Sequence, residues 1–347
     1  MNTRERLEAF WAGERPDQIP YTIYQWEWRH TADDPAWLPL FDLGLGVTWH
    51  LPTVEAIPDA TVEDVTERWL EDGRTFERRI LRTPVGSIFE TFVDGWRMKY
   101  LLETAEDYAV MTYIVRHTRI EPIFDSFRAQ ERELPPFGVA LVDMHRTPIQ
   151  TILVDYAGVQ NFGYHLYDLN GQVLELYDAL LQNFRRTVDL VAEGPGRYIC
   201  VLENFSAEMI GPARFKSLLL PVYRTLFPIL QSAGKIVGTH YDGRLAVCRE
   251  LIAGAPIDVI ESLTPPPDGN MTLGEARAAW PDKLFWSNIN ISCYELPPDD
   301  LRQLVFDRIA QAAPDGRRLA FEVSEQSPAN WRKSMRTVLE ALRETGT

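Results

Sequence analysis

The stretch VGTHYDGRL places a histidine and a carboxylate two residues apart, directly after a short apolar run. His240 ends that run, Asp242 follows it, and Gly243 permits a turn before a helical pattern begins. An imidazole and a carboxylate at this spacing predict either two ligands to one metal ion, or one ligand and the group that orients it. A role for His240 as a base, or as a polar residue that only closes a strand, is the alternative.

Two other carboxylates continue apolar runs instead of following them. Glu203 ends the run ICVLE and Glu261 ends the run DVIE, so both side chains are expected to be partly buried. Burial raises the pKa of a carboxyl group and suits it to proton transfer near neutral pH. We therefore predict catalytic roles for Glu203 and Glu261, with Asn204 orienting the substrate. Buried ion pairs are the alternative.

Cysteine supplies a further candidate ligand. Cys293 follows a predicted strand, whereas Cys200 lies inside a strand and Cys248 inside a helix, where buried thiols are usually inert. Zinc prefers nitrogen and sulfur ligands, so Cys293 together with His240 favours zinc. A free cysteine in a surface loop is the alternative for Cys293. The predicted metal ligands are His240, Asp242, Cys293 and Glu322.

The remaining residues at strand ends predict the walls of a substrate pocket. Arg146 is the one cation in these clusters, and it either clamps a substrate carboxylate or neutralises Asp143. Trp26 and Trp49 are candidates for an apolar wall against a flat or methylated substrate, with core packing as the alternative. The predicted substrate-binding residues are Trp26, Trp49, Asp143, Arg146 and Glu325.

These side chains require a scaffold that brings the ends of distant segments together. Short apolar runs alternate with amphipathic segments. Together with the earlier runs IPYTIYQWEW and LGVTWH, the apolar runs number about eight. This alternation predicts a parallel sheet closed into a (β/α)₈ barrel, whose active site lies at the carboxyl ends of the strands. A doubly wound open sheet is the alternative, although GxGxxG and P-loop motifs are absent. The later runs lie at residues 137–144, 196–204, 235–240, 257–262, 283–289 and 318–324. Helices are predicted between these runs, two of them over residues 212–232 and 243–253.

The region before residue 137 has two features of its own. Thr3 is predicted to cap a first helix over residues 4–11 that closes the lower end of the barrel. Residues 61–92 alternate polar and apolar side chains around Asp72-Gly73, which predicts an antiparallel hairpin inserted at about residues 60–95. We therefore expect a single α/β domain over residues 1–347, a (β/α)₈ TIM barrel with an N-terminal helix and an inserted hairpin.

Composition excludes several classes of partner. A net charge of −15 disfavours nucleic acid and anionic membrane surfaces, and the sequence contains no apolar stretch of membrane-spanning length. The N-terminus lacks the apolar segment of a secretory signal, and the three cysteines show no CxxC spacing. We expect a cytoplasmic protein with a small-molecule substrate and neither nucleic acid nor a membrane as partner. A homodimer is left open.

Several longer stretches resemble proteins of the uroporphyrinogen decarboxylase superfamily. The matching stretches are TRERLEAFWAGERPDQIP, LRTPVGSIFET, the segment from ENFSAEMIGP to GTHYDGRL, and SEQSPANWRKSMRTVLEAL, and they extend over nearly the whole chain. The resemblance implies a (β/α)₈ barrel. True uroporphyrinogen decarboxylases carry an arginine-rich motif after the first strand, whereas YTIYQWEWRHTADDP contains one arginine, Arg29.

A second branch of that superfamily comprises zinc methyltransferases that exchange methyl groups with cobalamin on a separate corrinoid protein. Its thiol-specific members carry His-x-Cys after strand five and another cysteine after strand eight. Here the segments are His240-Tyr241-Asp242 and FEVSEQ, so the chain resembles O-demethylase-like members more closely. The resemblance implies methyl transfer between a small O-methyl compound and a corrinoid protein, with zinc. A metal-free decarboxylase of a small or tetrapyrrole carboxylate, and a non-catalytic subunit of a methyl-transfer complex, are the alternatives.

Overall fold

The computed structural model describes residues 1–323 and 326–346, and these residues divide into two compact units. The first unit contains residues 1–53, 124–144 and the described residues from 195 onward. The second unit contains residues 54–123 and 145–194. None of the described helices is both long and apolar enough to cross a membrane.

The first unit is built on a closed barrel of parallel strands, eight within the described residues, which confirms the predicted (β/α)₈ fold. Each strand pairs with its neighbour along the chain, and β1 pairs with both β2 and β8 to close the barrel. Later strands such as β7 and β8 are buried along their whole length, as expected for a sheet covered on its outer face. The strands are β1 (Tyr21–Tyr24), β2 (Leu45–Pro52), β3 (Gly138–Met144), β4 (Tyr198–Val201), β5 (Ile236–His240), β6 (Val259–Leu263), β7 (Leu284–Ile289) and β8 (Leu319–Val323).

The helices of this unit follow the predicted order with changes at two places. The helix predicted over residues 212–232 follows a kink at Gly211, whose φ is 75°, and it contains a π-helical turn at Phe215–Leu219. The segment predicted over residues 243–253 starts as a 3₁₀-helix at Ala246 and is α-helical only over Arg249–Ala253. The α-helices are Thr3–Trp11, Gln25–Arg29, Trp37–Asp42, Phe124–Arg132, Ala207–Arg214, Leu220–Ser232, Arg249–Ala253, Leu273–Ala279, Pro298–Ala312 and Trp331–Thr345; Phe215–Leu219 is a π-helix, and Ala246–Cys248 and Ile291–Glu295 are 3₁₀-helices.

Two expectations about the N-terminal region are wrong in detail. Asn2, not Thr3, caps the first helix: its side chain accepts from the Glu5 N–H at 2.9 Å, and the Glu5 carboxylate accepts from the Asn2 N–H at 2.8 Å. The strand predicted over IPYTIYQWEW ends at Tyr24, the last β1 residue paired with β2. Gln25–Arg29 forms a short helix instead, so Trp26 lies on a helix.

Aromatic packing from the first helix closes the lower end of the barrel, as predicted. Trp11 stacks on Tyr198 of β4 and meets Trp286 of β7 edge to face, with ring centroids 5.7 Å apart. Phe10 also contacts the Trp286 ring at 5.9 Å. A cavity of about 20 Å³ lies above this floor, bordered by Trp11 and by the carboxylate-bearing Glu261, and it has room for about one water molecule.

We expect Trp11→Ala to lower the free energy of unfolding by about 3–5 kcal/mol, because it removes a buried aromatic ring from the barrel floor. Trp96, which is 76% exposed, provides the matched control, and Trp96→Ala should change stability by less than about 0.5 kcal/mol. Urea denaturation of both variants and the wild-type protein measures this difference. Equal stability of the two variants would show that Trp11 does not hold the floor.

The second unit contains the predicted hairpin within a larger sheet. Glu63–Glu71 and Arg74–Thr83 pair antiparallel around Asp72 and Gly73, which both have positive φ values (49° and 74°) that suit this tight turn. Two further strands extend the hairpin into a four-stranded antiparallel sheet. The other elements of this unit are the strands Gly86–Val93, Trp96–Lys99, Val54–Pro58 and Thr118–Pro122, the α-helices Ala105–Arg116, Pro148–Gln150, Gly158–Asp168 and Asn170–Glu193, and the π-helix Thr151–Ala157.

Candidate functional site

The carboxyl ends of the barrel strands bring several predicted site residues together. His240 ends β5 and lies opposite Glu261 of β6 in the strand register. Glu322 of β8 lies between Thr22 of β1 and Asn288 of β7. Because all eight strands run in the same direction, these side chains converge at one end of the barrel. We call His240, Asp242, Glu261 and Glu322 the strand-end cluster.

A buried hydrogen bond between His240 and Glu261 lies at the centre of this cluster. The His240 Nδ1 lies 2.6 Å from Glu261 Oε2, and the Tyr24 hydroxyl donates to Glu261 Oε1 at 3.0 Å. Burial opposes protonation of His240, but the Glu261 and Asp242 carboxylates outweigh it and raise the pKa of His240 well above its ordinary value. Burial also opposes ionisation of Glu261, but the charge of His240 lowers its pKa. The pair is therefore an imidazolium and a carboxylate.

Glu322 has the opposite protonation state. Its Oε1 accepts a hydrogen bond from the Ser262 N–H at 2.9 Å, and the side chain is almost fully buried. Burial and then the neighbouring charge of Glu261 raise the pKa of Glu322 well above its ordinary value. Two carboxyl groups whose environments separate their pKa values in this way are typical of acid–base sites.

An outer group of side chains lies around the second nitrogen of His240. The His240 Nε2 is 3.8 Å from Asp242 Oδ2, and Asn204 Nδ2 donates to that oxygen at 3.4 Å. Burial raises the pKa of Asp242, but His240 more than offsets this effect and the pKa is lowered. Asn204 has a φ of 45°, a strained conformation that occurs often at functional sites. A Cβ on Gly243 would lie 2.6 Å from Ser206 Cα, so this loop packs closely only with glycine.

An inner group consists of Glu261 and two residues that the sequence does not predict as ligands. His50 of β2, Cys200 of β4 and Glu261 each offer one ligand atom, and these atoms lie within 4.8 Å of one another. The Cys200 thiol lies 3.7 Å from Glu261 Oε2. Both ring nitrogens of His50 are buried, and neither has a hydrogen-bond partner among the described residues. Nitrogen, sulfur and oxygen donors together fit zinc.

The inner group was missed because Cys200 has the pattern of a buried core residue in the sequence. That expectation is correct for burial, since Cys200 is 3% exposed. Burial raises the pKa of the Cys200 thiol well above its ordinary value, and the charges of Glu261 and Asp143 raise it further. Burial lowers the pKa of His50. A histidine on β2, one residue after Trp49, was the signal available in the sequence.

Cys293, a predicted metal ligand, lies in a different environment. It is on the 3₁₀-helix Ile291–Glu295 and is 7% exposed, so the surface-loop alternative is wrong. Its Sγ lies 3.8 Å from Arg308 Nη2, and the same guanidinium donates to Asn288 O and Asn290 Oδ1. The polar partner of the thiol is thus a buried cation. Cys293 does not belong to the group of candidate ligands that the described residues form around Glu261.

Glu203, a predicted catalytic residue, is fully buried at the end of β4. Its Oε1 accepts a hydrogen bond from the Tyr223 hydroxyl at 2.7 Å, and the Tyr241 hydroxyl donates to that of Tyr223 at 3.0 Å. Tyr223 lies on the helix Leu220–Ser232. The carboxylate therefore connects a strand end to a surrounding helix, and its catalytic role stays a prediction.

Two predicted substrate-binding aromatic residues have different surroundings. Trp26 stacks on Tyr24 with ring centroids 4.4 Å apart and lies 5.5 Å from the His50 ring, which places it beside the inner group. Trp49 is 4% exposed and contacts Trp28 at 5.5 Å. Successive side chains on a strand point to opposite faces, so Trp49 points away from the side that His50 occupies. The contacts of Trp49 are those of a packing residue.

The three other predicted substrate-binding residues have separate outcomes. Asp143 is half-buried near the end of β3, and its Oδ1 has no hydrogen-bond partner among the described residues. Its charge acts on His50 and Cys200, so it lies near the inner group. Arg146 belongs to the second unit, where it donates to Asp155 Oδ1 at 3.0 Å. Glu325 lies outside the described residues.

Comparisons with known proteins identify no family. No protein-family model matches the chain, and no curated protein matches it. Among solved structures, a B12-independent methionine synthase from Shewanella sp. W3-18-1 in complex with selenomethionine is similar at 12% identity and a TM-score of 0.40, covering 95% of each chain. A structure of the pneumococcal virulence factor StrH, from work on N-glycan recognition and hydrolysis, is similar at 7% identity and a TM-score of 0.36, covering 98% of this chain and 84% of the other. Neither likeness defines a function for this chain.

Proposed function

We propose that the chain is a methyltransferase that moves a methyl group from a small O-methyl compound to a corrinoid on a partner protein, with assistance from a divalent metal. The observation that carries the proposal is the strand-end histidine. His240 is held at Nδ1 by Glu261 and presents Nε2 beside Asp242. The choice of a methyl group and a corrinoid rests on the sequence resemblance, whereas the acid–base chemistry rests on these contacts.

Removal of a methyl group from an ether leaves a negative charge on oxygen, and His240 is suited to neutralise it. The acceptor supplies an electron pair to the methyl carbon, the C–O bond breaks, and its electron pair stays on oxygen. That oxygen takes a proton from His240 Nε2, and solvent restores the proton afterwards. A positioned general acid of this kind contributes about 10²–10⁴-fold to the rate. The raised pKa of His240, caused by the nearby carboxylates despite burial, keeps this proton available.

The other cluster residues support this step. Glu261 fixes the orientation of the imidazole, and Asn204 holds Asp242 through its side-chain amide. Glu322 is held neutral by burial and by the Glu261 charge, which raise its pKa, so it adds no further negative charge near the leaving oxygen. Among the described residues, the ring nitrogens of His50 have no hydrogen-bond partner, and with Cys200 and Glu261 they are suited to hold a metal ion. Zinc, when bound, would supply Lewis-acid polarisation of the leaving oxygen.

The charge of the site supports this function over decarboxylation. Asp242 and Glu261 lie beside the one imidazolium, and Asp143 lies near His50, so the excess charge is negative. A substrate carboxylate would be repelled here, whereas a divalent cation would be attracted. A non-catalytic role leaves the buried pair unexplained, because burial of an ion pair is costly and such perturbed groups concentrate at functional sites.

The proposal is tested by incubating the protein anaerobically with small O-methyl compounds and free cob(I)alamin as acceptor. We expect methylcobalamin to form, and we expect no release of CO₂ from carboxylate substrates. Asp242→Asn should lower the rate by at least about 10-fold, because Asp242 lies beside the acidic nitrogen of His240. Asp282→Asn is the matched control, since Asp282 is 95% exposed. Release of CO₂ without methyl transfer would contradict the proposal and favour the decarboxylase.

A further inference from the structure

We propose that His50, Cys200 and Glu261 form a thiolate-containing site for one divalent metal ion inside the mouth of the barrel. This inference rests on the proposed function in one respect: the residues named here would hold the metal ion that assists methyl transfer. The sequence had instead predicted ligands on His240, Asp242, Cys293 and Glu322. The three inner residues come from β2, β4 and β6, which are alternate strands of the barrel.

The spacing of the donor atoms is close to that of a tetrahedral zinc site. With Zn–S of about 2.3 Å and Zn–O of about 2.1 Å, a tetrahedral angle separates sulfur and oxygen ligands by about 3.6 Å. Cys200 Sγ and Glu261 Oε2 are 3.7 Å apart. All three ligand atoms lie within 4.8 Å of one another, so the largest contraction needed is about 1.4 Å.

His50 is the independent observation that points to a ligand. The residue is 7% exposed, and neither ring nitrogen forms a hydrogen bond among the described residues. A buried polar group without a partner costs about 1–3 kcal/mol, so a native structure normally provides one. Rings of Tyr24 and Trp26 contact the His50 ring at 5.6 Å and 5.5 Å and restrict its position. A metal ion beside Cys200 and Glu261 would give one of these nitrogens its partner.

The chemistry of the ligands also separates this site from Cys293. Ligation requires the thiolate, so the metal would replace the proton of Cys200, and that proton would leave to solvent. The thiolate and the Glu261 carboxylate would together balance a divalent charge. Cys293 has the Arg308 guanidinium 3.8 Å from its sulfur, and that cation would repel a metal ion. The carboxylate of Glu261 has enough lone pairs to bind the metal ion and to keep its hydrogen bond with His240.

The test is titration of the chelator-treated, full-length protein with Co²⁺ alone, followed by absorption spectroscopy. The wild-type protein should bind about one Co²⁺ per chain and develop a thiolate-to-cobalt charge-transfer band in the near ultraviolet. Cys200→Ala and Cys200→Ser should lose this band and weaken Co²⁺ affinity by more than about 100-fold, beyond the effect typical of residues that only support a ligand. His50→Ala should weaken affinity similarly.

Two other buried cysteines are matched controls. Cys248→Ala and Cys293→Ala should keep the band, and circular dichroism of every variant confirms that the barrel is folded. Loss of the band in Cys293→Ala, or its retention in folded Cys200→Ser, would overturn the site. Absence of a charge-transfer band in the wild-type protein would also overturn it. If the wild-type protein transfers methyl groups but shows no band, only this metal site is refuted. If the band depends on Cys200 but no methyl transfer occurs, only the proposed function is refuted.

Discussion

We expect His240→Ala to lower the rate of methyl transfer by about 10²–10⁴-fold, the contribution of a positioned general acid. His240 is the residue whose protonated ring lies between Glu261 and Asp242 at the strand ends. Without the imidazole, the leaving oxygen must take its proton from water. The measurement is the single-turnover rate of methylcobalamin formation with saturating O-methyl substrate, which separates the methyl-transfer step from product release.

His30→Ala provides the matched control, because His30 is exposed on the loop after the helix Gln25–Arg29. This variant should transfer methyl groups at the wild-type rate. Circular dichroism should show that His240→Ala keeps its helices and strands, although the unpaired Glu261 lowers its stability. Full turnover by folded His240→Ala would exclude a catalytic role for this histidine.

The second large effect is a difference in stability between two buried glutamates. Glu261→Gln should lower the free energy of unfolding of the metal-free protein by about 3 kcal/mol, because it removes the charged partner of the buried His240. Glu322→Gln should change it by less than about 1 kcal/mol, because burial and the Glu261 charge raise the pKa of Glu322 and already keep it neutral. The glutamine oxygen can still accept from the Ser262 N–H. Denaturation of both variants in chelator measures the contrast.

The pH dependence of these variants follows from the direction of each pKa shift. The pKa of His240 is raised by the carboxylates despite burial, so its stabilising contribution is complete below the unfolded pKa and is lost as pH rises through the folded pKa. The pKa of Glu261 is lowered by His240 despite burial, so its contribution is lost as pH falls through the folded value. The deficit of Glu261→Gln should therefore be largest between these limits. A deficit of equal size in Glu322→Gln would contradict the assigned protonation states.

Much of the barrel and part of the site could be predicted from the sequence. Near-continuous apolar runs identified β3 to β8, because buried parallel strands have this pattern. The same runs located the strand ends, and the structure brings His240, Glu261 and Glu322 to the same end of the barrel. The sequence could not show which strand-end residues touch. The hydrogen bond of His240 to Glu261 depends on the register between β5 and β6, which is a tertiary property.

The errors have identifiable physical causes. Cys200 is a core residue, as its apolar neighbours predict, but the sequence could not show that this core position on β4 also points toward Glu261. The sequence favours Trp49 for the pocket, but His50, one residue later, points toward the inner group, and strand alternation directs Trp49 to the other side. Cys293 follows β7, yet its thiol lies against Arg308 of the helix Pro298–Ala312, a contact that no local pattern predicts.

Metal assistance at the strand ends is tested most directly by the metal content of the protein purified without chelator. We expect inductively coupled plasma mass spectrometry to find about one zinc ion per chain in the wild-type protein, since nitrogen, sulfur and oxygen donors meet at His50, Cys200 and Glu261. The zinc should be lost in Cys200→Ser and retained in Cys248→Ser. A wild-type protein that contains no metal, and gains none when zinc is supplied, would contradict metal-assisted methyl transfer at this site.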